Sequence, residues 1–162
     1  PDVPAGVWYA KAVNVLASYG IIKGLPDGTF GPERSISRAE FAALACRFDE
    51  LTTGTATFSD VDESHWAYQY IAFAAEKGWV TGYTDGTFRP GNNITRCEVV
   101  ALICRVLERS PDKNYIGKHS DELKLFPDVA ASHWAYHYIV EATNGHNYTK
   151  DSKGNETWSS LK

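Results

Sequence analysis

Apolar residues recur along this chain at helical spacing, in short bursts separated by polar, glycine-rich stretches. In one burst Trp66, Tyr70, Ile71, Phe73 and Ala74 follow a 3.6-residue period, and Gly78 comes next as a C-terminal cap. The spacing predicts a helix from Trp66 to Lys77 and a counterpart from Trp8 to Tyr19, closed by Gly20. Ser64 and Ser132 stand where N-caps would, just ahead of His65-Trp66 and His133-Trp134. A second kind of helix opens on Ser37-Arg38-Ala39-Glu40 and on Thr95-Arg96-Cys97-Glu98. Both match the capping box, in which hydroxyl and carboxylate each take an orphan N–H of the first turn. The first of these helices should run to about Leu51, and the second should stop near Glu108, before Ser110-Pro111.

Between the helices lie Gly24-Leu25-Pro26-Asp27-Gly28-Thr29-Phe30-Gly31-Pro32 and Gly82-Tyr83-Thr84-Asp85-Gly86-Thr87-Phe88-Arg89-Pro90. Asp-Gly is turn chemistry: the carboxylate bonds backbone two residues on, and glycine accepts positive φ. Phe30 and Phe88 should pin these loops to the core.

These parallels are one repeat written twice. Residues 2–48 and 60–106 align without a gap, 58 residues apart, with 18 identities in 47 pairs. A third copy begins 68 residues later, where 58–74 and 126–142 share 11 of 17, and then diverges. The repeats span 1–51, 58–109 and 126–162, joined by polar linkers, and the last copy lacks the Asp-Gly-Thr-Phe turn and the capping-box arginine. Its tail predicts a short hairpin turning around Ser152-Lys153-Gly154-Asn155. A repeat cannot close its own core, so copies must pack on one another and any groove at a junction recurs. That plan suits a multivalent binder better than an enzyme with one site.

At 162 residues with 43% apolar and 22% charged residues, the chain has the composition of one compact folded unit. A net charge of −4 argues against nucleic acid as the main partner. No apolar run is long enough for a membrane span. A basic-then-apolar leader is missing as well, so the start at Asp2-Val3 reads as a mature or truncated terminus. Cys46 and Cys104 occupy equivalent positions in apolar helical stretches and Cys97 replaces Ala39, a pattern of small buried residues rather than a zinc or disulfide framework.

Arg38 and Arg96 sit at the first position of a helix, where the macrodipole disfavours a cation by roughly 0.3–1 kcal/mol. Either arginine can join free backbone N–H groups in an anion site, or pair with a neighbouring repeat. Trp8, Trp66 and Trp134 open the first helices, where an indole can stack on a sugar ring, fill the core, or do both. Lys23-Gly24 and Thr81-Gly82 precede the turns, and the glycines there serve either a ligand's close approach or the turn alone. Asp27 and Asp85 read as turn formers, since the spacing of a calcium loop is missing, and no metal or cofactor is expected. His65 and His133 read as structural. Carboxylates that a glycosidase would need in pairs, such as Asp60, Asp62, Glu98 and Asp128, read as turn or helix-start residues.

The pattern Phe58-x-Asp60-Val61, His65-Trp66-Ala67-Tyr68, Gly82-Tyr83-Thr84-Asp85-Gly86-Thr87-Phe88-Arg89-Pro90 and Ile94-Thr95-Arg96-Cys97-Glu98 resembles the S-layer homology domain, and copy one repeats its last motif as Ile36-Ser37-Arg38-Ala39-Glu40. The resemblance implies a mainly α fold, a pseudo-threefold assembly of helix-loop-helix repeats around a central three-helix bundle. It further implies a non-catalytic module at the bacterial surface, extracellular, anchoring its parent to secondary cell-wall polysaccharide, commonly pyruvylated, or to peptidoglycan-linked glycan. The sugar would lie in grooves between repeats, with Arg38 and Arg96 as key contacts and Trp8, Lys23, Gly24, Trp66, Thr81, Gly82 and Trp134 around them. At most two competent grooves are expected, because the third copy lacks its arginine. A protein-interaction or self-assembly module, packing on neighbouring surface-protein copies, is the alternative, and a wall-glycan hydrolase ranks behind both.

Overall fold

The structure, a computed structural model, describes residues 1–162. In order it carries α1 (Ala10–Ser18), α2 (Arg38–Ala45), α3 (Tyr68–Glu76), α4 (Arg96–Val106), α5 (Lys113–Lys118) and α6 (Tyr136–Thr143), then strands β1 (His146–Lys150) and β2 (Glu156–Leu161). Single 3₁₀ turns at Cys46–Phe48 and Ser120–Glu122 end α2 and follow α5. The chain divides into two compact units, Pro1–Ile94 and Thr95–Lys162, and the division falls inside the second repeat.

Helix pairing explains that position. In the first unit α2 packs on α3, and in the second α4 packs on α6. Each pair joins the second helix of one repeat to the first helix of the next. The equivalent cysteines mark the same contact twice: Cys46 Sγ donates to the Tyr70 carbonyl at 3.3 Å, and Cys104 Sγ to the Tyr138 carbonyl at 3.7 Å. Burial pushes the two thiols up to about 12 and about 11, so both stay protonated donors.

Both capping boxes form as expected, on Ser37 with Glu40 and on Thr95 with Glu98. The starts of α3 and α6 differ from the reading that placed serine caps there. Ser64 Oγ bonds the Asp62 carboxylate instead, and the imidazoles of His65 and His133 accept the backbone N–H of Ala67 and Ala135 at 3.1 and 3.2 Å. The His-Trp-Ala-Tyr motif is therefore a helix-start device in which the ring nitrogen takes the orphan amide. The helices begin about two residues later than the tryptophans, at Tyr68 and Tyr136.

The turns are closed locally and tied from a distance. Asp27 and Asp85 each accept from the backbone N–H and hydroxyl of Thr29 or Thr87. Asp2 takes the N–H groups of Phe30 and Gly31, and Asp60 those of Phe88 and Arg89, all at 2.7–2.8 Å. Gly24 is required by the turn, because its φ is +71° and a Cβ would lie 2.7 Å from the Thr29 carbonyl oxygen.

In the second unit the hairpin takes the place of the missing half-repeat. Its strands pair antiparallel with an irregularity between Asn147 and Tyr148. Trp158 packs with Ile116, Leu123 and Val140 into a small core. Beside it the buried side chains of Glu141, His146 and Glu156 gather around Arg109. The Arg109 guanidinium lies 2.6 Å from Glu141, 2.8 Å from His146 Nε2 and 2.8 Å from Glu156. Burial raises the Glu141 carboxyl above its ordinary value against the pull of His146 and Arg109. The three side chains are a metal-like set, with their ligand atoms within 4.8 Å of one another, but the guanidinium already supplies the cation among them.

Candidate functional site

The first unit carries a groove of about 190 Å³ at the α2–α3 junction. One wall is the segment Ile22-Lys23-Gly24-Leu25 that leads into the Asp27 turn, and Phe30 closes the end of that turn. The opposite wall is the face of α2 that presents Ala43 and Leu44. Trp66, from the start of the next repeat, completes the lining with its indole 61% exposed. Its ring is free to receive a flat apolar partner on one side, while His65 stacks nearby at 5.9 Å between ring centroids.

Charge distinguishes this groove. Lys23, Arg34 and Arg47 line it against one carboxylate, Glu40. Arg34 holds Glu40 at 2.6 Å, and Arg47 spends one nitrogen on the Ile21 carbonyl at 2.7 Å. A guanidinium has five N–H donors, so both arginines keep donors for a ligand. Partial burial opposes ionisation of Glu40, but Arg34 and the Ser37 N–H outweigh it and hold the carboxyl below its ordinary value. The site therefore carries fixed positive charge beside an aromatic face and an apolar floor, and it can hold an anionic ring.

Of the residues expected to contact sugar, the structure gathers Lys23, Gly24 and Trp66 here. Arg38 lies elsewhere: it is 7% exposed, its Nε donates to the Phe88 carbonyl at 2.8 Å, and its guanidinium covers the rings of Phe88 and Tyr83. The backbone N–H groups that would have completed an anion site with it are occupied as well. Those of Arg38 and Ala39 donate to the carbonyls of Asn92 and Pro90, and that of Glu40 to Ser37 Oγ. Trp8 is 92% exposed, with Tyr9 against its edge. Thr81 is exposed, and Gly82 packs on the Phe58 ring and the Thr87 carbonyl, where a Cβ would collide with both. Arg96, in the second unit, is exposed at the start of α4. Trp134 lines a cavity of the second unit.

Sequence reasoning missed Arg34 and Arg47. Arg47 carried a signal, since it recurs as Arg105 in the ungapped alignment; Arg34 carried none, because its counterpart is Asn92.

The profile of the S-layer homology domain matches residues 1–42 and 57–100. The chain belongs to the S-layer homology domain family. Among its relatives, cell surface glycoprotein 1 of Acetivibrio thermocellus is 40% identical over 153 residues, which cover 87% of this chain and 6% of that protein. The cellulosome-anchoring protein of the same organism is 38% identical over 161 residues, 96% of this chain and 34% of that one. S-layer protein EA1 of Bacillus anthracis is 35% identical over 137 residues, 83% of this chain and 15% of its own length. The chain thus spans about a third or less of these relatives.

Proposed function

We propose that this chain binds an anionic secondary cell-wall polysaccharide, with a carboxylate-bearing sugar such as a pyruvylated hexosamine in the Trp66 groove. Membership of the S-layer homology family makes it a cell-wall anchoring module of the bacterial cell surface. The observation that carries the ligand reading is the lining of the groove: three cations against one carboxylate, beside an exposed indole. The ring lies on Trp66, and the acid group meets Arg47 and Lys23. Affinity per groove need not be high, because many copies on one glycan layer act together.

The module itself is non-catalytic in this reading. Glycoside hydrolysis takes two carboxyl groups, one with a raised pKa. The groove supplies only Glu40, which is held ionised by Arg34 and engaged in its helix cap. Calorimetric titration with pyruvylated and chemically depyruvylated wall polysaccharide tests the proposal. Binding should favour the pyruvylated form, leave chain length unchanged, and weaken about tenfold in Arg47→Ala and in Trp66→Ala. Equal binding of both forms, or depolymerisation, would refute it.

A further inference from the structure

The buried cluster around Arg109 in the second unit has more acceptors than hydrogens to fill them. Arg109 Nη2 carries two hydrogens. Three acceptors stand around it: Glu141 Oε1 at 2.6 Å, His146 Nε2 at 2.8 Å and Glu156 Oε2 at 3.2 Å. The imidazole cannot relieve the shortage. Its Nδ1 faces the Asn144 carbonyl at 2.7 Å and so donates, while its Nε2 faces a guanidinium, which only donates, and so accepts. The Glu141 side chain is 1% exposed, and neither of its oxygens receives a hydrogen bond of good geometry, although Oε1 is paired with Arg109 by charge.

Charge is short by one as well. Glu156 engages both Nε and Nη2 of Arg109 and is its ion partner. An ionised Glu141 leaves the buried group with one net negative charge, at the joint between α6 and the hairpin. The groups packed around it supply no further cation. On α4 the Cys104 thiol stays protonated, and Arg105 turns to the Tyr138 hydroxyl at 3.5 Å. Tyr148 of β1 covers the guanidinium at 4.4 Å, and Asp112 at the start of α5 is spent on the N–H groups of Asn114, Tyr115 and Trp158. One additional proton corrects both counts. On Glu141 Oε1, 3.4 Å from His146 Nε2, it neutralises the cluster and makes the carboxyl a donor to the imidazole, leaving the Arg109 hydrogens for Glu141 and Glu156.

We propose that the cluster binds one proton between Glu141 Oε1 and His146 Nε2, and that this proton latches the hairpin to α6. With the proton bound, the joint is neutral and closed. Its loss sets the carboxylates of α6 and β2 against each other and frees the hairpin, which uncovers Ile116, Leu123 and Val140. Burial holds the folded Glu141 carboxyl above its ordinary value of 4.5. The latch is therefore complete below about pH 4.5 and is lost as pH rises through the folded value. The carboxylates that tie the interhelical turns, depressed by their hydrogen bonds, weaken in acid instead. The latch does not depend on the Trp66 groove or its ligand.

Amide hydrogen exchange of the full chain between about pH 5 and pH 9, corrected for the intrinsic rate at each pH, tests it. Protection of the hairpin amides should fall with rising pH by up to about tenfold per pH unit, and by at least about tenfold in all, while amides of α2 and α3 keep theirs. Glu141→Gln, whose carboxamide stands in for the protonated acid, should hold the hairpin at its low-pH protection throughout. A second measurement needs no variant: the carbon-13 shift of the Glu141 carboxyl and the nitrogen-15 shifts of the His146 ring should titrate over the same range as the protection. Hairpin protection independent of pH, an equal fall in wild type and Glu141→Gln, a fall shared by α2 and α3, or a Glu141 carboxyl already ionised at the low end of the range would overturn the proposal.

Discussion

At the scale of single residues, the two arginines of the repeated helix-start motif sit in different surroundings, Arg38 buried and Arg96 exposed. Arg38 is a packing and hydrogen-bonding residue whose partners, Phe88 and Tyr83, lie in the following repeat. Arg38→Ala should therefore lower stability by about 2 kcal/mol, since it removes a charged hydrogen bond and leaves the Phe88 carbonyl unpaired. A urea unfolding midpoint unchanged by that substitution would contradict the assignment. The capping boxes were legible in the sequence because hydroxyl and carboxylate lie three positions apart. Arg38's true partner is 50 residues away, and no local pattern encodes it. The same limit hid the groove cations, which are brought to Trp66 by the fold and not by a motif.

At the scale of elements, the loop between helices is a turn with two carboxylate clasps, one local and one remote. The Thr87 hydroxyl and N–H, with Arg89, depress the Asp85 carboxyl to about 2 from 3.8. Backbone N–H groups similarly depress Asp2, and the Thr29 side chain and N–H depress Asp27. A folded-state value below the unfolded one gives stability that is complete above the unfolded pKa and lost as pH falls through the folded one. The thermal midpoint should therefore drop between about pH 4 and pH 2, and Asp85→Asn, which still accepts from Thr87, should flatten part of that slope. A slope identical in wild type and variant would remove Asp85 from the account. The helix pairs make a chemical prediction too. A thiol-reactive dye should label Cys97, which is only half-buried, in the native protein, and reach Cys46 and Cys104 only on unfolding. Rapid labelling of all three would show that the junctions are open. The helix starts at Tyr68 and Tyr136 escaped the sequence reading because an imidazole, not a serine, takes the first amide.

At the scale of the whole molecule, the third repeat survives its truncation through Arg109. This side chain, just beyond the end of α4, holds Glu141 of α6 together with His146 and Glu156 of the hairpin. Arg109→Leu leaves two carboxylates buried without their counter-charge, and should cost about 3–5 kcal/mol by calorimetry. Glu141→Gln should cost less, because burial already works against ionisation of that carboxyl. Equal losses would mean that Glu141 is the essential ion of the cluster. The repeats were legible as sequence, but their pairing in space was not. Sequence identity marks where a copy begins, while packing joins α2 to α3 and α4 to α6. That half-step offset bears on how such arrays are shuffled by recombination. A crossover in a polar linker, the place a comparison of copies would choose, separates the partners of a helix pair and forces unrelated faces together. A crossover near the Ile94–Thr95 boundary exchanges finished pairs, so viable hybrids should carry their joints within repeats rather than between them.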